Sequence, residues 1–142
     1  METQELHRGR LIDHIQLVVQ DLAAARRFYT AIFESLDIPL GGTGEGYFWA
    51  DELFVSTTDS AAAQGALTGR HHLAFQAQSP HMVESFYSAA LANGGKDNGA
   101  PGERPYHPGY YAAFVLDPDG NNIEAVYHGE AARSASSVRI TF

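Results

Sequence analysis

Three side chains in this sequence are placed to do chemistry together: His14, His72 and Glu124. Each stands in a stretch whose alternation reads as a β-strand. From Leu11 to Val19, the apolar Ile15, Leu17 and Val19 share one face, while His14, Gln16 and Val18 share the other. From Arg70 to Ala77, Leu73, Phe75 and Ala77 oppose His72, Ala74 and Gln76. From Asn122 to Tyr127, Glu124 is one carboxylate in an otherwise apolar strand, on the same face as Val126 and His128. A carboxylate on a partly buried strand is costly unless it is paired or bound to a cation. Two neutral imidazoles and one carboxylate on one side of a divalent ion suit Fe, Mn, Ni, Co or Zn and leave positions open for water and substrate. The competing reading of His72 and Glu124 is a hydrogen-bonded structural pair. Separations of 58 and 52 residues make no local metal motif, so the weight falls on the face assignments and on an internal repeat.

That repeat supplies the positioning elements. After the first strand, Asp21 is a good N-cap, and Leu22, Ala25, Phe28, Tyr29, Ile32 and Phe33 recur at helical spacing until Asp37 and Pro39. Gly-rich residues 41–46, aromatic Tyr47-Phe48-Trp49 and Leu53 to Thr57 then suggest short strands joined by turns. The second half runs in the same order: the strand Arg70 to Ala77, a helix from Ser79 or Pro80 to about Asn93, a stop at Gly94-Gly95, then strands Tyr110 to Leu116 and Asn122 to Tyr127. Phe28 follows His14 by 14 residues, and Phe86 follows His72 by the same 14. The expectation is an α+β fold of two βαβββ modules, residues 11–58 and 70–128, with a linker over 59–69 and a tail over 129–142. The apolar strand faces belong under the helices, so both histidines belong on the uncovered face. If the modules pair through their sheets, that face lines a curved cleft.

Around the three candidate ligands lie secondary candidates. Arg104 to Tyr110 is a proline-rich loop leading into a strand, and such loops often line a cleft mouth. There His107 is a candidate general acid or base and Arg104 a candidate for a substrate carboxylate; the plain alternative is a rigid surface loop. Tyr110 and Trp49 are candidate substrate contacts, with Tyr47, Phe48 and Trp49 as an aromatic wall or core. His71 reads as structural, and His128 as near solvent at its strand end. Residues 41–46 lack the Lys and Ser/Thr of a phosphate-binding loop and read as a turn. Asp117, Asp119 and Asn121 imitate a calcium loop, but Pro118 and His128 break the pattern, so this too reads as a structural turn. In the tail, Arg133 and Arg139 are expected either on a partner subunit or in disorder.

Composition bounds the partners. With 142 residues, nine Lys plus Arg against 17 Asp plus Glu, and a net charge of −8, the chain reads as one acidic domain with no basic patch for nucleic acid or anionic membranes. No cysteine is present, which removes disulfides, cysteine-based zinc sites and cysteine nucleophiles. No apolar run reaches the roughly 20 residues of a membrane span, and Met1 to Arg10 is polar, so a cytoplasmic protein is expected.

Asp13-His14-Ile15, Asp21-Leu22 through Phe28-Tyr29, His71-His72-Leu73-Ala74-Phe75, and above all Phe114 to Glu124, with Asp117-Pro118-Asp119-Gly120-Asn121-Asn122, resemble the vicinal oxygen chelate superfamily. That superfamily includes glyoxalase I, extradiol dioxygenases, fosfomycin-resistance enzymes and bleomycin-resistance proteins, and the resemblance runs from about Leu11 to His128. It implies paired βαβββ modules forming a curved mixed sheet around a divalent metal held by His14, His72 and Glu124. It also implies Lewis-acid chemistry on neighbouring substrate oxygens. Many glyoxalase I enzymes have a fourth carboxylate ligand in the first module, whose equivalent here falls near Phe54. Fosfomycin-resistance enzymes carry hydroxyls where this chain has Ala112 and Phe114, and extradiol enzymes a Tyr at the place of Phe114. The function expected is therefore dioxygenase-like or glyoxalase-like chemistry on a small molecule by a homodimer, with Glu124 and His107 as catalytic groups. The alternatives are a bleomycin-resistance-like binding protein and a fosfomycin-resistance-like enzyme.

Overall fold

The chain was described through a computed structural model, which covers residues 5–60 and 63–142. Its elements run β1 (Glu5–Arg8), β2 (Ile15–Val18), α1 (Leu22–Ser35), β3 (Gly42–Gly44), β4 (Tyr47–Ala50), β5 (Leu53–Ser56), β6 (His72–Gln76), α2 (Pro80–Ala92), β7 (Lys96–Glu103), β8 (Tyr111–Leu116), β9 (Asn122–Tyr127) and β10 (Val138–Thr141). Two four-stranded sheets share one topology. Their orders are β2-β5-β4-β3 and β6-β9-β8-β7, with the pairs β2/β5 and β6/β9 parallel and the rest antiparallel. The βαβββ repeat is thus present twice, strand for strand.

Both helices follow from their sequences. In α1, Ala25, Phe28, Tyr29, Ile32 and Phe33 are buried, the stripe that helical spacing places on one side. The helix ends at Ser35, and Asp37 follows at φ 59, a left-handed conformation that cannot propagate a helix. In α2, Ser79 caps the helix by accepting from the Met82 amide at 3.1 Å, Pro80 starts the first turn, and Val83, Phe86 and Ala90 are buried. Gly95 then turns the chain away, its amide donating to the Ala90 carbonyl at 2.8 Å. A Cβ at Gly95 would stand 2.7 Å from Phe28, so only glycine lets the two segments approach so closely.

The chain divides into two compact units that do not follow the repeat. One holds β1 to β5 and β10; the other holds residues 24–37 and 69–132, and therefore nearly all of α1. Phe75 of β6 faces a helix, as its alternation requires, and that helix includes α1: the Phe33 and Phe75 rings meet edge to face at 5.2 Å.

Several strands depart from the expectations. β7 is absent from the sequence reading because Lys96 to Glu103 contains Gly99, Pro101 and Gly102, poor strand residues. It survives as an edge strand paired only with β8, with irregular register between Asp97 and Gly99 and between Gly99 and Gly102. The tail, expected on a partner subunit or disordered, instead ends in β10, antiparallel to β1, with Arg139 opposite His7. Arg133 donates to the Ser136 carbonyl at 3.2 Å. Residues 41–46, read as a turn, include the short strand β3.

Candidate functional site

Asp117 to Asn122 sets the register that brings His72 and Glu124 together on the second sheet. The buried Asp117 carboxylate accepts from the amides of Asp119 at 2.9 Å and Asn121 at 2.8 Å through Oδ1. Through Oδ2 it accepts from Asn121 Nδ2 at 2.9 Å and from the Tyr29 hydroxyl at 2.5 Å. Burial first, then the Asp117 charge, push Tyr29 well above the ordinary tyrosine value. Asn121 Oδ1 in turn accepts from the His71 amide at 2.8 Å, and the Asn122 amide donates to the His71 carbonyl at 2.8 Å. The turn thereby locks β6 beside β9, with His72 opposite Asn122 and Ala74 opposite Glu124.

In that register His72 and Glu124 meet: Nε2 lies 3.0 Å from Oε1. The His72 Nδ1 lies 3.0 Å from the Asn122 carbonyl. A carbonyl only accepts, so Nδ1 carries the proton, and a neutral imidazole presents its Nε2 lone pair to the carboxylate. Lone pair would face lone pair, and a cation between them removes the conflict, whether a proton on Nε2 or a divalent metal ion. A ring held at Nδ1 by a backbone carbonyl, with Nε2 turned toward the cation site, is the arrangement found for metal-bound histidines. The donor set, imidazole nitrogen and carboxylate oxygen, therefore fits a divalent metal. Glu124 is only 3% exposed, in keeping with a carboxylate that must be compensated.

Tyr110 supplies a further partner, its hydroxyl donating to Glu124 Oε2. Burial and this hydrogen bond push Tyr110 up to about 12, so it keeps its proton across the neutral range. Tyr110, a candidate substrate contact from the sequence, gives its hydroxyl to the Glu124 carboxylate. His107 and His128 form a pair, His107 Nε2 to His128 Nδ1 at 2.9 Å, and His107 Nδ1 lies 2.9 Å from the Pro108 carbonyl. Both rings meet Tyr110 edge to face, at 5.2 and 5.5 Å. His128, expected near solvent, is exposed but hydrogen-bonded. Its partnership was hidden because Gly109 and Gly129, both left-handed, bring the two loops together, a Cβ on either standing 3.2 Å from the other's Cα. Arg104 donates to the carbonyls of Ala100 at 2.7 Å and Glu103 at 3.2 Å and lies 5.3 Å over the Phe114 ring. Its guanidinium thus braces Phe114, which stacks at 6.1 Å on His72, where a free clamp for a substrate carboxylate was expected.

His14 belongs to the other unit. Its Nδ1 lies 2.7 Å from Asp13 Oδ1, and its ring meets Phe54 at 5.6 Å. Phe54 pairs with Gln16 as Glu124 pairs with Ala74, so it stands at the first-sheet equivalent of Glu124, where the sequence reading placed it. Within this unit a cavity of about 650 Å³ is lined by Gln16, Tyr47, Phe54, Ser56 and Ser60 among others. Gln16 Nε2 donates to the hydroxyls of Ser56 at 2.8 Å and Ser60 at 3.0 Å. Trp49, expected as a substrate contact, is buried and stacks on Phe54 at 5.4 Å; the aromatic wall is Tyr47 and Phe54. Among the described residues, no three His, Asp or Glu side chains of either unit converge on one point.

Repeated four-stranded mixed sheets with βαβββ connectivity, and an imidazole–carboxylate pair on the second, define the class: a glyoxalase-like α+β protein. The chain belongs to the Glyoxalase/Bleomycin resistance protein/Dioxygenase superfamily, whose family profile matches residues 11–125. It is similar to a glyoxalase/bleomycin resistance protein from Albidiferax ferrireducens T118, at 31% identity and TM-score 0.66, covering 82% of this chain and 97% of that one. A family enzyme from Burkholderia phytofirmans PsJN shares the fold at 20% identity and TM-score 0.65, with coverage of 82% and 97%. A lactoylglutathione lyase from Agrobacterium tumefaciens does so at 20% identity and TM-score 0.57, with coverage of 83% and 93%. Comparison with curated protein sequences gives no match. No helix among the described residues is long and apolar enough to cross a membrane.

Proposed function

We propose that this chain is a divalent-metal-dependent enzyme that chelates adjacent oxygens of a small substrate, with dioxygenase-like or glyoxalase-like chemistry. The observation that carries this reading is the His72–Glu124 contact, in which a carbonyl-bound Nδ1 leaves Nε2 facing a buried carboxylate. His72, Glu124 and His14 would hold the ion, with Fe, Mn, Ni, Co or Zn matching the donors. When bound, it supplies Lewis acidity to neighbouring substrate oxygens. Tyr110 orients Glu124 by donating to Oε2. His107, paired with His128 beside Tyr110, would be the group that exchanges a proton with substrate. In the first unit, the Tyr47 and Phe54 rings of the cavity could take a planar substrate portion, beside the polar Gln16, Ser56 and Ser60. Phe54 at the place of a fourth carboxylate favours the three-ligand, dioxygenase-like type over glyoxalase I proper. A homodimer in the cytoplasm completes the reading.

Metal content tests it, in protein purified without chelator or affinity tag and compared with the His72→Ala/Glu124→Ala double variant. About one ion per chain, lost in the variant with the fold intact by circular dichroism, is the expected result. No ion after reconstitution with each metal overturns the enzyme reading in favour of a ligand-sequestering protein of the bleomycin-resistance kind.

A further inference from the structure

His14 is held by more than its own strand. Both Asp13 and His14 precede Ile15, the first residue of the β2 ladder, so strand alternation does not part their side chains. The Asp13 carboxylate only accepts, so at 2.7 Å from Nδ1 it holds the proton on that nitrogen and leaves the Nε2 lone pair free. Asp13 Oδ1 also accepts from Arg8 Nε at 3.4 Å. Arg8 is the last residue of β1 and only 6% exposed, and a cation buried to that extent needs fixed partners. Its guanidinium donates to the carbonyls of Asp51 at 2.5 Å and His7 at 3.2 Å and lies 5.8 Å over Trp49. Trp49 stacks on Phe54 with planes 8° apart, and Phe54 meets the edge of His14. The circuit closes: Arg8 supports the imidazole through Asp13 on one side and through Trp49 and Phe54 on the other.

We infer that Asp13 and Arg8 are positioning residues for His14, a carboxylate and a buried cation that fix its tautomer and ring plane so that Nε2 alone is offered to a metal ion. The inference rests on the proposed role of His14 as a ligand. It is the counterpart of His72, whose Nδ1 is held by a backbone carbonyl. The two imidazoles would offer the same nitrogen through different supports. The β1/β10 ribbon then carries the cation that anchors Asp13.

The test combines long-range ¹H–¹⁵N NMR of the histidines in metal-free protein with Zn(II) titration by calorimetry, on wild type, Asp13→Ala, Asp13→Asn, Arg8→Lys and His14→Ala. Expected for wild type is a His14 ring protonated at Nδ1. Asp13→Ala is expected to lose that preference and to weaken Zn(II) about ten- to a hundredfold, as for other outer supports of metal-bound histidines. Asp13→Asn, which keeps an acceptor oxygen, should restore part of both. Arg8→Lys should weaken Zn(II) less than Asp13→Ala, since the carboxylate remains. An unchanged His14 tautomer in Asp13→Ala overturns the positioning role, whatever the affinity does. A shifted tautomer together with wild-type Zn(II) affinity in His14→Ala overturns instead the reading of His14 as a ligand, and leaves the hold of Asp13 on the ring standing.

Discussion

Asp117→Asn should destabilise the protein by about 2–4 kcal/mol, because the carboxylate accepts four hydrogen bonds while buried. Asparagine keeps one acceptor, which can still serve the amides of Asp119 and Asn121. Its amide nitrogen then meets the Tyr29 hydroxyl and Asn121 Nδ2. The hydroxyl can rotate and accept; Asn121 Nδ2 cannot, so donor faces donor. Flipping the Asn121 amide relieves this only by taking Oδ1 from the His71 amide, which ties β6 to the turn. One lost charge-assisted bond and one buried donor without a partner, at about 1–2 kcal/mol each once the remaining partners re-form their bonds, give the range stated. With a urea m-value of about 2 kcal/mol/M, the midpoint should fall by about 1–2 M. Tyr29→Phe removes a single donor and should cost about 1–2 kcal/mol. Because the two side chains touch, the double variant should be less destabilised than the sum by about 1 kcal/mol. A midpoint shift below about 0.3 M, or additivity within about 0.3 kcal/mol, would refute the network as a unit.

Alkaline stability offers a second check. Tyr29 is held well above its ordinary value of 10, so the folded state prefers the protonated phenol. Its contribution is complete below pH 10 and is lost as pH rises through 10 toward the folded-state value. Wild type should therefore lose stability above pH 10 more steeply than Tyr29→Phe in parallel urea titrations; equal slopes would contradict the burial argument. Gly95→Ala should cost about 1–3 kcal/mol, read as a lowered melting temperature, because its Cβ would lie 2.8 Å from the Ala90 carbonyl oxygen as well as against Phe28.

Much of the fold was legible because its signals are local. The stripe of Phe28, Tyr29, Ile32 and Phe33, the cap at Ser79 and the alternation around His72 and Glu124 each depend on residues a few positions apart, and each element formed where expected. The strand Lys96–Glu103 was not legible, since an edge strand with one neighbour tolerates glycine, proline and bulges that propensity counts against it. Nor was the β1/β10 ribbon, which joins segments about 130 residues apart and has only weak local pattern.

The candidate site divides along the same line. By itself the sequence determined which residue types could bind a cation and that His72 and Glu124 occupy alternating positions within strands, because side-chain direction in a strand repeats every two residues; His14, expected in a strand from Leu11, stands one residue before β2. It also determined the turn chemistry of Asp117 to Asn122, whose short-range hydrogen bonds need no distant partner. Only the tertiary structure decided that Tyr110 gives its hydroxyl to Glu124, that Arg104 braces Phe114, that Arg8 reaches Asp13, and that α1 sides with Phe75 and Asp117. Those contacts depend on the register between strands and on which surfaces meet, and both are set by the packing of many residues at once rather than by any one stretch of chain.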